Sequence, residues 1–168
     1  MTRVAHLARA QERELRSWLY GGERPSRDSV AAAVATAAVD VEDQHGIPID
    51  LVVTGDRPLD DSTAALVSAL REALLNAVRH GTPPVSAYVE VGPASVDAFV
   101  RDRGPGFDLD DIPEDRLGVR ESIVGRMARH GGTAQLRRLD HGTEVALSLP
   151  VPDTRPIPDS SGRLSEEP

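Results

Sequence analysis

The sequence contains no cysteine, few aromatic residues and no long apolar run. Without cysteine, the 168-residue chain has no disulfide, thiolate metal ligand or cysteine nucleophile. No run of eighteen apolar residues is present, and the N-terminus lacks the basic-then-apolar order of a signal peptide. Acidic residues outnumber basic ones by 27 to 19, and the net charge of −8 disfavours general affinity for nucleic acid. We therefore expect a cytoplasmic chain that contacts neither membrane nor nucleic acid.

The apolar content comes mainly from small and aliphatic residues. Aromatic residues make up only 3% of the chain, so Ala, Val, Leu and Ile must supply the core. With 39% hydrophobic and 27% charged residues, the composition suits one folded domain with short extensions. We expect an N-terminal helix and linker at 1–22, one domain at 23–150, and a disordered tail at 151–168 that is rich in Pro, Ser and acids.

Apolar periodicity and turn residues divide the chain into helices and strands. Leu66, Leu70, Leu74 and Val78 stand four apart, which is typical of one face of a helix. The patterns predict helices at 2–20, 29–44, 60–80 and 119–129, and strands at 49–53, 85–91, 95–101, 133–139 and 143–149. The second helix is expected to be capped by Asp28 or Ser26 and stopped by Gly46, and a long loop is expected at 102–117. This order predicts an α+β fold, a two-layer sandwich with helices over one mixed sheet.

Glu72, Asn76 and His80 form a polar stripe on the third predicted helix. Their spacing of four places them on one face, separate from the leucine stripe. A carboxylate, an amide and an imidazole in this arrangement suit hydrated Mg²⁺ and phosphates, because Mg²⁺ prefers oxygen ligands and keeps several waters. Taken alone, the stripe also suits an ordinary solvated face.

The segment 102–107, with sequence DRGPGF, follows a predicted strand. Asp102 could accept a hydrogen bond from the exocyclic amine of adenine. Gly104 and Gly106 would let the backbone approach a base, because they carry no Cβ atom. Alone, this segment is equally compatible with a simple turn at the end of a strand.

Two further patches lie closer to the C-terminus. Gly118 and Arg120 stand where the long loop is predicted to become a helix, and the free N–H groups of a helix start favour phosphate. Thr143 opens the last predicted strand, where a threonine is common for structural reasons alone.

Together the four patches resemble, in order and spacing, the N, G1, G2 and terminal motifs of the gyrase/chaperone/histidine-kinase/MutL (GHKL) ATPase superfamily. The segments VTGDRPL at 53–59, RESIVGRM at 120–127 and GGT at 131–133 are similar to actinobacterial sensor histidine kinases of the NarL/DesK type. The resemblance covers nearly the whole chain up to Pro150. It implies a Bergerat fold, in which helices cover one face of a mixed, mostly antiparallel sheet.

The resemblance also implies ATP as the ligand and Mg²⁺ as the metal. Asn76 would be the Mg²⁺ ligand and Glu72 its polar neighbour in the catalytic network, while Asp102 would contact the adenine amine with Thr143 nearby. The remaining residues would complete the pocket: Gly104 and Gly106 at the base, 107–117 as a lid, and Gly118, Arg120 and His80 towards the phosphates.

The family's phosphoacceptor histidine, found in a context such as Glu-Leu-His-Asp, has no counterpart in this sequence. The resemblance therefore implies a catalytic domain that supplies the γ-phosphoryl group to a histidine in another protein or in a longer parent chain. The segment 1–22 would be a remnant of the dimerisation region, and a response regulator would be an indirect partner. Two alternatives remain: a serine/threonine kinase of the anti-sigma-factor type, and a catalytically degenerate ATP-binding module that pairs with a kinase.

Overall fold

A computed structural model describes residues 28–104 and 114–153, with the side chains of 114–120 outside that description. The N-terminal helix predicted at 2–20, most of the predicted lid and the tail beyond residue 153 lie outside the described residues. The helices are α1 (Val30–His45), α2 (Asp61–His80) and α3 (Glu114–Arg129). The strands are β1 (Ile49–Thr54), β2 (Val85–Val91), β3 (Ser95–Arg101), β4 (Thr133–Arg138) and β5 (Thr143–Pro150).

The five strands form one mixed sheet in the order β1-β2-β3-β5-β4. β1 and β2 are parallel, and α2 makes the crossover that a parallel pair requires. The other three pairs are antiparallel. The predicted mixed, mostly antiparallel sheet is therefore confirmed.

The three helices pack on one face of this sheet, with α2 at the centre between α1 and α3. Leu66, Leu70 and Leu74 of α2 are fully buried, which confirms the predicted apolar stripe. The inward-facing residues of the strands complete the core, among them Val85, Val89, Val96, Val145, Leu147 and Leu149. The predicted α+β two-layer sandwich is thus confirmed.

The opposite face of the sheet carries no described helix. Side chains alternate between the faces of a strand, so Val52, Tyr88, Phe99 and Ala146 lie side by side on this outer face. Val52 is 50% exposed and Tyr88 is 39% exposed, and the rings of Tyr88 and Phe99 are 6.5 Å apart.

The cap of α1 differs from the prediction. Ser29, rather than Asp28 or Ser26, caps the helix, and its hydroxyl accepts a hydrogen bond from the Ala32 N–H at 3.3 Å. The reason is non-local: the Asp28 carbonyl accepts from the Leu59 N–H and the Val30 N–H donates to the Arg57 carbonyl, so the chain before Val30 pairs with residues 57–59. Gly46 ends the helix in the left-handed conformation, as predicted.

The start of α3 and the end of the packed domain also differ from the sequence prediction. α3 begins at Glu114 instead of residue 119. Val151, assigned to the predicted tail, is 8% exposed and donates its N–H to the Ala94 carbonyl at 2.9 Å. The packed domain therefore continues to that residue.

Candidate functional site

The ends of α2, β3 and β5 meet at one edge of the two-layer fold. The Asp102 N–H donates to the Thr143 carbonyl at 3.1 Å, which joins the residue after β3 to the first residue of β5. The Arg103 N–H donates to the Thr82 carbonyl at 2.9 Å, which joins the same turn to the end of α2. These two backbone bonds bring together Asp102 and Thr143, which stand 41 positions apart in the sequence.

Two glycines permit this close approach. Gly142 has φ +107°, a conformation that residues with a Cβ atom adopt rarely, and a Cβ atom there would collide with the Asp102 carbonyl. A Cβ atom on Gly81 would lie 2.5 Å from both Cβ and Cγ of Asp102. The glycines after α2 and before β5 thus allow backbone to pack directly on Asp102.

Asp102 is the buried carboxylate of this junction, with 8% of the residue exposed. Its Oδ1 atom accepts the Gly104 N–H at 2.7 Å, and a Cβ atom on Gly104 would lie 2.9 Å from that oxygen. Within the described part of the chain, Gly104 is the only hydrogen-bond donor to this carboxylate. A carboxylate held in this way retains acceptor capacity for an amine.

The polar stripe on α2 leads towards this junction. Glu72, Asn76 and His80 lie on one uninterrupted helix, so their spacing of four places them on one face. Glu72 and Asn76 are half-buried, whereas His80 is exposed. Asn76 and Gly81 are separated by roughly 7–8 Å along the helix axis, and the Gly81 Cα atom lies beside Gly104.

The Oδ1 atom of Asn76 is buried and has no hydrogen-bond partner among the described residues. An unpaired buried amide oxygen is unfavourable unless something else binds it. The described residues contain no group of three or more His, Asp or Glu side chains able to hold a metal. A cation here would have to be one that accepts a single protein oxygen and takes its other ligands from phosphate and water, as Mg²⁺ does. The residues therefore fit Mg²⁺ bound together with a nucleotide.

The structure does not place every predicted site residue in this junction. Gly118 lies inside α3, in its second turn, and not at a helix start, because the helix begins at Glu114. The expectation that Gly118 marks the helix N-terminus is therefore wrong. The Arg120 side chain and Gly106 lie outside the described residues, so their predicted contacts with phosphate and base remain predictions.

Glu144 also belongs to this region, although no local sequence pattern predicts it. Glu144 follows Thr143 directly, is 4% exposed, and pairs with Arg101 and Arg137 on the outer face of the sheet. Alternation along β5 predicts that Glu144 faces away from the core. Arg101 and Arg137 lie directly opposite Glu144 on the two neighbouring strands. This match of opposite charges can be recognised only when the strand register is known.

A cavity of about 240 Å³ lies elsewhere, between the start of α1 and residues 56–58. β1 ends at Thr54, which pairs with Glu90, whereas the end of β3 pairs with Ser86. The cavity is therefore at the opposite end of the sheet from Asp102. Its lining, which includes Asp56 and Arg57, contributes to the cap of α1 through the bond from the Ala31 N–H to Asp56 Oδ1 at 3.0 Å.

The chain is similar to known proteins in family and in fold. Residues 61–153, just over half of the chain, match the family described as histidine kinase-, DNA gyrase B- and HSP90-like ATPases. The match spans α2, Asp102 and Thr143. No curated protein sequence matches significantly. Within the described residues, no helix combines the length and apolar character needed to cross a membrane.

Solved structures of histidine kinases share the fold. The ATP-binding domain of PrrB from Mycobacterium tuberculosis has a TM-score of 0.59 and 25% identity, with 74% of this chain and 95% of that chain covered. The mycobacterial sensor histidine kinase MprB has a TM-score of 0.57 and 18% identity, with 74% and 96% covered. The histidine kinase AdeS from Acinetobacter baumannii has a TM-score of 0.56 and 21% identity. The match covers 72% of this chain and 62% of the AdeS chain.

Proposed function

The chain belongs to the family of histidine kinase-, DNA gyrase B- and HSP90-like ATPases, and from that membership we propose that it binds Mg²⁺-ATP and supplies the γ-phosphoryl group to a histidine of a sensor kinase. In this proposal the chain is the catalytic ATP-binding domain, and the acceptor histidine belongs to a dimerisation domain in trans or in a longer parent chain. A response regulator would then receive the phosphoryl group from that histidine, and the reaction would take place in the cytoplasm. The NarL/DesK subtype remains a prediction.

The observation that carries the proposal is the Asp102 junction. The Asp102 carboxylate is buried where the end of α2, the end of β3 and the start of β5 meet, and it accepts a hydrogen bond from one described donor. It is therefore suited to accept a further hydrogen bond from the exocyclic amine of adenine. Guanine placed as adenine is, and uracil, would present a carbonyl oxygen at the position of the amine and be disfavoured. Thr143 lies beside Asp102 through the backbone bond and would contribute to the same contact.

The polar stripe on α2 would serve the phosphates. Asn76 would give its unpaired Oδ1 atom to Mg²⁺, Glu72 would orient a water in the metal's shell, and the exposed His80 would reach a phosphate oxygen. The metal, when bound, neutralises negative charge that develops on the transferred phosphoryl group. Catalysis by this domain would consist of positioning and charge stabilisation, and the attacking imidazole would come from the acceptor.

Binding is tested by calorimetric titration of ATP, with and without Mg²⁺, into the wild type, Asp102→Asn and Asn76→Ala. We expect Asp102→Asn to weaken ATP at least roughly tenfold, since a hydrogen bond to a charged group is lost. Asn76→Ala should remove most of the dependence on Mg²⁺. Asp97→Asn, at the far end of β3, is the matched control and should bind as the wild type does. A wild type that does not bind ATP would refute the proposal.

Transfer is tested by adding γ-labelled ATP to the full chain together with a histidine phosphoacceptor domain of a sensor kinase. We expect label on the acceptor that is lost in acid and retained in alkali, as the P–N bond of phosphohistidine requires. Acid-stable label on a serine-bearing protein would favour the serine/threonine kinase alternative. ATP binding without transfer to any acceptor would favour the binding module.

A further inference from the structure

Glu144 is a buried carboxylate on the outer face of the sheet. Its side chain is 5% exposed, although no described helix covers that face. The Oε2 atom accepts from Arg101 Nε and lies near Arg101 Nη2, both at 2.5 Å, and the Oε1 atom lies 3.7 Å from Arg137 Nη1. The two arginine side chains are 59% and 57% exposed, so they shield the carboxylate while keeping contact with solvent.

The ion pair stands next to the proposed adenine site. Arg101 and Glu144 are opposite each other in the β3–β5 pair and are the last partners at this end of its register. One residue further on each strand stand Asp102 and Thr143, joined by the 3.1 Å backbone bond. Arg101 is thus bonded covalently to Asp102, and Glu144 to Thr143.

This position matters because Asp102 lies past the end of the β3–β5 register. Strand ends open more easily than strand centres, so a residue beyond the last pair depends on what holds that pair together. The close packing of Gly142 on the Asp102 carbonyl means that a small shift of β5 would move the Asp102 backbone. A carboxylate must lie within hydrogen-bond distance to recognise an amine, so such a shift would weaken base recognition before it unfolds the domain.

We propose that Arg101 and Glu144 are positioning residues for adenine recognition, because their ion pair across β3 and β5 holds Asp102 and Thr143 in register. Arg137 adds a second contact to the Glu144 carboxylate from β4, at 3.7 Å. The inference rests on the proposed ATP-binding function and adds to it a device on the face of the sheet opposite to the site.

The test compares ATP with inosine triphosphate, whose base has a carbonyl oxygen in place of the adenine amine. Its N1 atom also carries a hydrogen, so the ratio of the two dissociation constants measures recognition of the edge of the base formed by the C6 group and N1, while the sugar and phosphates are identical. We would titrate both nucleotides with Mg²⁺ into the wild type, Asp102→Asn, Glu144→Ala and the milder Glu144→Gln. Asp97→Asn is the matched control, because Asp97 accepts bonds from Ser95 at 2.6 Å and Ser148 at 2.5 Å at the other end of the same two strands.

We expect the wild type to prefer ATP roughly tenfold or more, and Glu144→Ala to lose most of that preference, as loss of a hydrogen bond to a charged group predicts. Asp97→Asn should keep the preference even where its melting temperature falls equally. A Glu144→Ala protein that is folded and retains the wild-type preference, or that loses both nucleotides equally, would overturn the inference. If Glu144→Ala does not fold, the same criterion applies to Glu144→Gln. A wild type without any preference for ATP would instead contradict the adenine contact in the proposed function.

Discussion

At the scale of single residues, Asp60 stabilises the start of α2 as its N-cap. Its carboxylate accepts the Thr63 N–H and the Thr63 hydroxyl, both at 2.8 Å, while the Asp60 N–H donates to the Thr63 hydroxyl oxygen at 2.8 Å. These bonds form a capping box at the start of α2. The backbone hydrogen bond from Thr63, the largest contribution, holds the pKa of Asp60 below its ordinary value.

Replacing Asp60 with alanine should lower the free energy of unfolding by about 1 kcal/mol at pH 7, which is typical of a lost N-cap. The contribution of this carboxylate is present above its unfolded pKa, because the folded pKa is the lower one. It is lost as the pH falls through the folded value, so the difference between wild type and variant should shrink below about pH 4. Urea denaturation across the pH range measures it.

Asp61→Ala provides the comparison, since Asp61 is an exposed acid in the first turn of the same helix. It should cost only about 0.3–0.5 kcal/mol through the helix dipole. A difference for Asp60→Ala that stays constant down to pH 2 would contradict the assignment of the charged cap.

At the scale of an element, a glycine inside α3 and a glycine just after its end have different conformations. Gly125 lies within the helix, has ordinary helical geometry and leaves open space where a Cβ atom would be. Gly131 follows the helix with φ +75° and also leaves open space. Because neither substitution creates a clash, the pair separates helix propensity from backbone strain.

Gly125→Ala should raise the free energy of unfolding by about 0.5–1 kcal/mol, because alanine loses less backbone entropy in a helix. Gly131→Ala should lower it by about 1–2 kcal/mol, since an L residue is strained in the left-handed conformation. Thermal unfolding of the two variants should therefore shift in opposite directions. Equal shifts would mean that α3 does not have these boundaries in solution.

At the scale of the whole molecule, the sheet has one face under the helices and one face without a described covering layer. Val52 and Val53 are neighbours in β1 and therefore point to opposite faces of the sheet. Val53 lies beside Val89 on the face under the helices, and Val52 lies beside Tyr88 on the outer face. Val89 is fully buried, whereas Val52 is 50% exposed. The same substitution at both positions compares the two faces directly.

Val89→Ala should lower the free energy of unfolding by about 2 kcal/mol, from lost burial and the cavity that remains. Val52→Ala should change it by less than about 1 kcal/mol, through strand propensity alone. Urea denaturation of both variants measures the difference. A comparable loss at Val52 would contradict the exposure of the outer face.

Elements whose signals are local could be predicted from the sequence. The four-residue spacing of Leu66, Leu70 and Leu74, the left-handed Gly46 and the alternation in β2 and β3 each depend on residues close together in the chain. The same holds for the order of Asn76, Asp102 and Thr143, which carried the resemblance to the ATPase superfamily. These features were readable because helix and strand periodicity arise within one or two turns or a few residues.

Features that depend on distant residues became visible only in the folded chain. The cap of α1 uses Ser29 because the preceding chain pairs with residues 57–59, and Asp56, 25 positions from Ala31, supplies an additional acceptor. Glu144 is buried because Arg101, 43 positions away, lies opposite it across β3 and β5. No local pattern specifies such contacts. The sequence shows which side chains are charged, but the register of the sheet decides which of them lie opposite each other.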